Sequence, residues 1–178
     1  MTMMDIRTAN HFSMHFCFRA VFEIMGRPRK FFDELPPTVG LLQSLIFLGT
    51  TALFFCLAGL MNSRFHVDFI MGGIQFFNAV GMVFIMAALG YMVMILLIGP
   101  KVPFVRLFNI YALCSGVTLL VSWVPYLVGF IELWKWYLIG VGLVKGCGLK
   151  LKEALLIMIF SLAIWILFYG SLMPIITR

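Results

Sequence analysis

Charged residues are scarce in this sequence. Of its 178 residues, 11% are Asp, Glu, Lys or Arg and 63% are apolar. Soluble domains carry about 25% charged and about 45–50% apolar residues. Because much of the surface of a small soluble fold must face water, a chain this apolar has too few polar side chains to cover it. We therefore predict an integral membrane protein with one compact helical bundle and no separate soluble domain.

Signatures of catalysis are absent as well. The sequence contains no Gly-x-Ser-x-Gly, no phosphate-binding P-loop and no dinucleotide-binding fingerprint. Asp68 is the only aspartate after residue 33, whereas an intramembrane aspartyl catalytic pair requires two. We expect a protein that is not an enzyme and that uses no cofactor.

Metal ligands in a recognisable arrangement are also lacking. His11 and His15 have the i,i+4 spacing that can hold a metal on a helix, but no third His or acidic ligand lies nearby. The cysteines are not within ligand spacing of one another, so we expect small apolar side chains and no disulfide or metal site. They number four: Cys17, Cys56, Cys114 and Cys147.

Residues 1–37 are predicted to form a cytoplasmic or interfacial segment. Its polar residues recur every fourth position, which on a helix makes one slanting stripe beside an apolar surface. Such an amphipathic helix could lie in the membrane interface or pack under the bundle, and both alternatives leave it on the cytoplasmic side. The stripe consists of His11, His15, Arg19, Glu23 and Arg27.

The end of this segment is predicted to be an interfacial anchor. Pro28 interrupts the first helix or starts a new one, and Pro36-Pro37 stops any helix there. The basic residues would sit at headgroup level while two phenylalanines dip inward. The anchor residues are Arg27, Arg29, Lys30, Phe31 and Phe32.

Residues 38–176 are predicted to form five transmembrane helices. A span of about 20 residues crosses a hydrocarbon core of about 30 Å. The apolar run 65–98 would reach about 51 Å as one helix, so we expect Gly72-Gly73 to separate a short interfacial piece from the second span. The fold class is therefore all-α, with an amphipathic interfacial helix before spans at roughly 38–61, 73–98, 104–123, 126–144 and 153–176.

The distribution of Lys and Arg predicts the orientation. The net charge of +6 comes from basic residues at the ends of apolar runs, so we expect membrane contact and no nucleic-acid partner. Five spans place the N-terminal segment and the loops 99–106 and 145–152 on one side, with ten basic residues against Arg64 and Arg178 on the other. By the positive-inside rule the N-terminus is cytoplasmic and the C-terminus lies outside.

Glu132 and Lys135 form the most informative polar pair. They are i,i+3 on the fourth predicted span and therefore share a helix face, with Asn78 and Asn109 as candidate partners. A lone charge there would be costly. One interpretation is a polar spot lining a substrate or lipid path, and the other is a structural ion pair that fixes helix packing.

Two pairs of small residues have the spacing that lets helices approach closely. Ala112 and Gly116, and Gly142 and Gly146, are each four positions apart. We interpret both pairs as packing positions.

A pattern of prolines, aromatic residues and glycines runs over roughly residues 20–176. A segment with prolines and phenylalanines leads into the first span, five spans follow with short connections, and a turn leads into the last span. The residues of this pattern are Pro28, Phe31, Phe32, Leu35 and Pro36, then Tyr111, Trp134, Trp136, Gly142 and Leu143, then Gly148, Glu153 and Ala154. In this pattern the chain resembles the Yip1-domain family, in its small prokaryotic form.

The resemblance implies a membrane topology but no specific biochemical activity. Eukaryotic members of the family associate with Rab-type GTPases in vesicle trafficking, but their Asp-Leu-Tyr-Gly-Pro segment has no counterpart here, so that role is not carried over. We expect a non-catalytic protein of the prokaryotic cytoplasmic (inner) membrane that organises the bilayer or scaffolds a partner. Its partners would be lipids, another membrane protein or a second copy. The alternative is a small transporter, or a transport-complex subunit, that uses Glu132 and Lys135.

Overall fold

A computed structural model describes residues 14–36, 39–62, 69–122 and 128–176. Over these ranges the chain is helical between its turns and contains no strand. Two short helices precede five long ones, and the sixth continues into a π-helical turn, Gly142–Gly146. The helices are α1 (Met14–Gly26), α2 (Pro28–Asp33), α3 (Leu41–Asn62), α4 (Phe69–Leu97), α5 (Phe104–Leu119), α6 (Val128–Val141) and α7 (Leu151–Ile176). The predicted all-α class is confirmed for this part of the chain.

Helix α5 is the centre of the bundle. It contacts α3, α4 and α6 and also reaches α1. Its side chains are buried around the whole helix from Leu107 to Cys114. A helix that is apolar on every side is expected at the middle of a bundle, because it has no face for water.

Glycines on α5 and on the π-helical turn allow close helix contacts. A Cβ built on Gly116 would lie 2.5 Å from Cε1 of Phe47 on α3, and one on Gly142 would lie 2.4 Å from Cγ2 of Ile110. Gly146 also faces Ile110, at 3.0 Å from its Cδ1 to the built Cβ. Both predicted small-residue pairs therefore contain glycines that pack against another helix, as the spacing indicated.

The outer surface of the bundle is apolar. Phe77, Phe130, Leu133 and Leu167 are each more than 70% exposed. Two of the described helical stretches, Leu41–Gly59 and Ile70–Leu97, are long and apolar enough to cross a membrane. Large exposed apolar side chains on long helices match a surface covered by lipid acyl chains.

The predicted break at Gly72-Gly73 is wrong. Helix α4 begins at Phe69 and continues through both glycines to Leu97, over 29 residues. A glycine inside a helix costs only about 1 kcal/mol relative to alanine, and glycines are frequent in membrane helices. Gly72 is buried in the bundle. The expected interfacial piece falls partly on residues 63–68, which lie outside the described ranges.

The N-terminal segment is attached to the bundle. Helix α1 ends at Gly26 and α2 begins at Pro28 in its first turn, as the sequence indicated. Ala20 and Ile24 of α1 are fully buried while Phe22 is 72% exposed. Helix α1 therefore packs against the bundle on one face and leaves an apolar side chain free on another. His11 lies outside the described ranges, and the side chains of His15 and Arg19 are likewise not described.

Phe31 and Phe32 require a correction. They were expected to dip into lipid, but their exposed fractions are 7% and 0%, and both belong to the hydrophobic core. The ring of Phe32 lies 3.5 Å from a Cβ built on Gly142. A bulky ring beside a glycine fills the space that the missing side chain leaves, which explains why these rings face protein. The headgroup positions expected for Arg27, Arg29 and Lys30 stay predictions, and all three are exposed.

Candidate functional site

Three basic segments meet at one end of the bundle. Lys145, on the π-helical turn, lies 3.4 Å from the carboxylate of Asp33 on α2, and Lys101, in the turn before α5, forms an ion pair with Glu153 at the start of α7. Nε of Arg106 donates a 2.6 Å hydrogen bond to the carbonyl of Gly146. These contacts join the segments that charge counting assigned to one side. We call this end of the bundle the basic end.

Glu132 and Lys135 lie toward the opposite end, near the start of α6. Nζ of Lys135 is 2.7 Å from Oε1 and 2.6 Å from Oε2 of Glu132, so the carboxylate is held by both oxygens. The Glu132 side chain is 52% exposed and that of Lys135 is 25% exposed. The sequence prediction that the two share a face is supported by this geometry. By helical rise, Glu132 is about 15 Å from the start of the π-helical turn.

The pair lines a cavity of about 440 Å³. Helices α4, α5, α6 and α7 form most of its wall, and Phe55 adds α3. Its polar lining, besides Glu132 and Lys135, consists of Gln75, Asn78, Tyr111, Ser115, Thr118 and Ser122. This volume lies within the range of small-molecule sites, about 300–1,000 Å³. A cavity with several polar groups between otherwise apolar helices is the candidate functional site.

Tyr111 gives the inner part of the cavity an unusual polar group. Its side chain is 1% exposed, and its hydroxyl has no partner at hydrogen-bond distance. The hydroxyl lies near the side chain of Ser161, which itself donates to the carbonyl of Ile157 at 2.6 Å. Space for the Tyr111 ring exists because the facing residue is Gly90, where a Cβ would lie 2.8 Å from the hydroxyl. A buried hydroxyl without a partner is costly, so this atom is suited to accept or donate a bond to a molecule in the cavity.

The hydroxyl groups on α5 are partly satisfied by their own helix. Thr118 donates to the carbonyls of Cys114 and Ser115, and Ser122 donates to the carbonyl of Thr118 at 2.8 Å. Such local bonds are usual for hydroxyl side chains in apolar helices. Each oxygen keeps acceptor capacity for another group.

The two asparagines suggested as partners of the ion pair lie in different parts of the bundle. Asn78 lines the same cavity. Asn109 does not: it is buried, and Nδ2 donates 2.8 Å to the carbonyl of Val39, just before α3. Asn109 therefore holds the start of α3 against α5, at the basic end.

Cys147, directly after the π-helical turn, is a free thiol. Burial raises its pKa to about 11, and the nearby Arg106 guanidinium only partly offsets that effect. The thiol is therefore protonated at neutral pH and a poor nucleophile or metal ligand. Cys56 and Cys114 are also free and buried, and Cys17 has no described side chain. Within the described ranges no group of three His, Cys, Asp or Glu side chains could hold a metal ion.

Part of the cavity was missed from sequence, although a signal existed. Ser115, Thr118 and Ser122 recur at i, i+3 and i+7, which puts three hydroxyls on one face of an apolar helix, and Gln75 and Asn78 are i,i+3 on another. A helix that is apolar elsewhere has little other reason for an aligned polar stripe.

Comparison with known families agrees with the sequence resemblance. The sequence profile of the Yip1 domain matches residues 22–173, which is most of the chain. This match confirms the resemblance, which was based on the segment that leads into the first span and on the glycines of the later helices. No curated protein and no solved structure matches the chain.

Proposed function

Since the chain belongs to the Yip1-domain family, we propose that it is a non-catalytic, five-span membrane protein that organises the bilayer or scaffolds a partner. The observation that carries this proposal is the fixed position of the N-terminal helices. Phe32 is part of the bundle core, while Phe22 and Met25 on α1 stay exposed. An amphipathic surface packed beside a helix bundle is suited to hold lipid headgroups, another membrane protein or a second copy.

The basic end supports the five-span topology. Helices α3 to α7 follow the five predicted spans in order, with bounds shifted by a few residues. The ion pair Lys145–Asp33 joins segments separated by four predicted spans, and Lys101–Glu153 joins segments separated by two. An even number of intervening spans leaves both partners of each pair on the same side. In this proposal the basic end faces the cytoplasm, the C-terminus is outside, and the membrane is the prokaryotic cytoplasmic (inner) membrane.

Tags test the topology directly. A tag at the N-terminus should be protected from protease in intact cells. A tag after Arg178 should be cleaved when the protease has access to the outer face of the cytoplasmic membrane. Tags on the loops at Lys101 and Lys150 should behave like the N-terminal tag. Cleavage of the N-terminal tag with protection of the C-terminal one would reverse the orientation, and equal accessibility of both would contradict five spans.

Co-purification in mild detergent, read by lipid and protein mass spectrometry, tests the scaffold role. Replacement of Arg27 and Arg29 by alanine should lower recovery of a bound lipid or protein without changing stability, because both side chains are exposed. Replacement of Lys150 and Lys152, two exposed basic residues at the same end, is the matched control. If both double variants lose the same partners equally, general charge explains the binding and the α1–α2 surface does not.

A second candidate, a small transporter or a transport-complex subunit, is favoured by the cavity at Glu132 and Lys135. Intramembrane charges that face a cavity often mark substrate paths. Glu132→Ala should then leave folding intact and abolish a flux or ligand signal. If the substitution lowers only thermal stability, the ion pair is structural.

A further inference from the structure

We propose that the cavity beside Glu132 and Lys135 binds a zwitterionic lipid headgroup of the phosphoethanolamine type, with its apolar chain directed toward Val83 and Met86. The proposal rests on the five-span arrangement proposed above, which the tag experiment tests separately. It assigns a ligand class to the cavity, whichever of the two candidate functions the protein has.

The charges of the lining select the ligand class. Among the described residues that line the cavity, Glu132 is the acid and Lys135 the base, so these side chains together carry no net charge but form a strong local dipole. A lone anion or cation entering the site would place its charge beside a like charge on one of the two residues. A zwitterion can pair with both at once, and the three donors of Lys135 are not exhausted by one carboxylate.

The order of the two residues matches the order of groups in the headgroup. Glu132 is nearer the start of α6, and Lys135 lies about 4.5 Å deeper along the helix by its rise per residue. In phosphoethanolamine lipids the ammonium is outermost and the phosphate is next to the glycerol. The carboxylate is thus placed for the ammonium and the lysine for the phosphate.

The rest of the cavity becomes more apolar with depth. On α4 the lining changes from Gln75 and Asn78 to Val83 and Met86 over about 16 Å. On α6 it changes from the ion pair to Ile139. The change follows the direction of a lipid from headgroup to acyl chain.

The cavity volume limits the ligand further. About 440 Å³ fits a headgroup with the first part of one chain, whereas a complete diacyl lipid would have to leave most of its chains between the helices and the bilayer. A single-chain lysolipid is therefore the sharpest probe.

Native mass spectrometry of the full chain in detergent tests the proposal, with lysophosphatidylethanolamine as the probe. Lysophosphatidylglycerol of the same chain length replaces the zwitterion by an anion, and free phosphoethanolamine removes the chain. We expect binding of the first probe and at least about tenfold weaker binding of the other two. Equal binding of the anionic probe would overturn the charge argument, and equal binding of free phosphoethanolamine would overturn the lipid assignment.

Variants make the test specific to the ion pair. Glu132→Gln and Lys135→Met should each weaken binding about tenfold, whereas Glu34→Gln, which breaks the exposed 3.7 Å pair with Lys30 at the basic end, should leave it unchanged. The double variant Glu132→Lys with Lys135→Glu keeps an ion pair and its thermal stability, but reverses the order of the charges and should bind as weakly as the single variants. Wild-type affinity in that double variant or in Lys135→Met would refute the proposal.

Discussion

Arg106 holds the end of the fourth long helix of the bundle from a position on the third. Its Nε donates 2.6 Å to the carbonyl of Gly146, the last residue of the π-helical turn. Carbonyls at a helix end lack partners within their own helix, and a cation there also interacts favourably with the helix dipole. In the sequence, Arg106 counted only as a basic residue of the loop 99–106. Its bond to Gly146 gives the side chain a structural task as well.

Arg106→Met is expected to destabilise the protein by about 1.5–3 kcal/mol, the range for a hydrogen bond to a charged group. Thermal unfolding in detergent measures the change. Arg29→Met, which removes an exposed guanidinium at the same end of the bundle, is the matched control and should have little effect. Equal destabilisation by both variants would mean that the loss of positive charge, and not the bond to Gly146, causes the change.

Gly142→Ala is expected to destabilise by about 1–3 kcal/mol, since its new methyl group would overlap Ile110. Gly81→Ala on α4 is the control, because a Cβ there meets nothing within 4 Å, and a helical alanine should be neutral or stabilising. A second variant, Ile110→Ala with Gly142→Ala, removes the clash. Its destabilisation should be smaller than the sum of the two single effects, and a simple sum would contradict direct contact.

Phe32→Ala is expected to cost about 3–5 kcal/mol, the usual range for a buried phenylalanine. It should also make residues 14–36 more sensitive to protease, because the ring attaches α2 to the bundle. Phe22→Ala, at a side chain that is 72% exposed, should leave thermal stability within about 0.5 kcal/mol. If protease cuts both variants at the same rate, the docking of α2 does not depend on Phe32.

Cys147 should resist alkylation in the folded protein. Burial raises its pKa to about 11, so the reactive thiolate is rare at pH 7.5 and increases as the pH rises toward that value. A variant in which the other three cysteines are alanine isolates the signal. Maleimide should modify this variant slowly when it is folded and rapidly in denaturant, as mass spectrometry can show. Rapid modification of the folded protein at pH 7.5 would contradict the burial of the thiol.

Local periodicity carried most of what could be predicted from the sequence. The i,i+3 spacing of Glu132 and Lys135 is reflected in the ion pair of the structure, and Gly142 and Gly146 pack closely as their spacing indicated. Long-range contacts were not accessible in this way. Nothing local in the sequence relates Asn109 to Val39, although the two are joined by a 2.8 Å bond across 70 positions.

The expectations that failed relied on composition where packing decided. Gly72-Gly73 suggested a break in the helix, but α4 continues through both glycines. Phe31 and Phe32 beside basic residues suggested contact with lipid, but glycines on the π-helical turn make room for Phe32 inside the protein. A one-dimensional pattern does not distinguish an apolar side chain that faces lipid from one that faces another helix.

The contact of Phe32 with Gly142 has a consequence for synthesis. Lys145 and Asp33, the charged pair beside this contact, are 112 positions apart in the chain. At about 5–20 residues per second, the π-helical turn that packs against α2 is made about 6–22 s after α2 itself. During that interval Phe32 lacks its contact with Gly142. Helix α2, although among the first helices made, therefore reaches its final position only after the fourth long helix has been made.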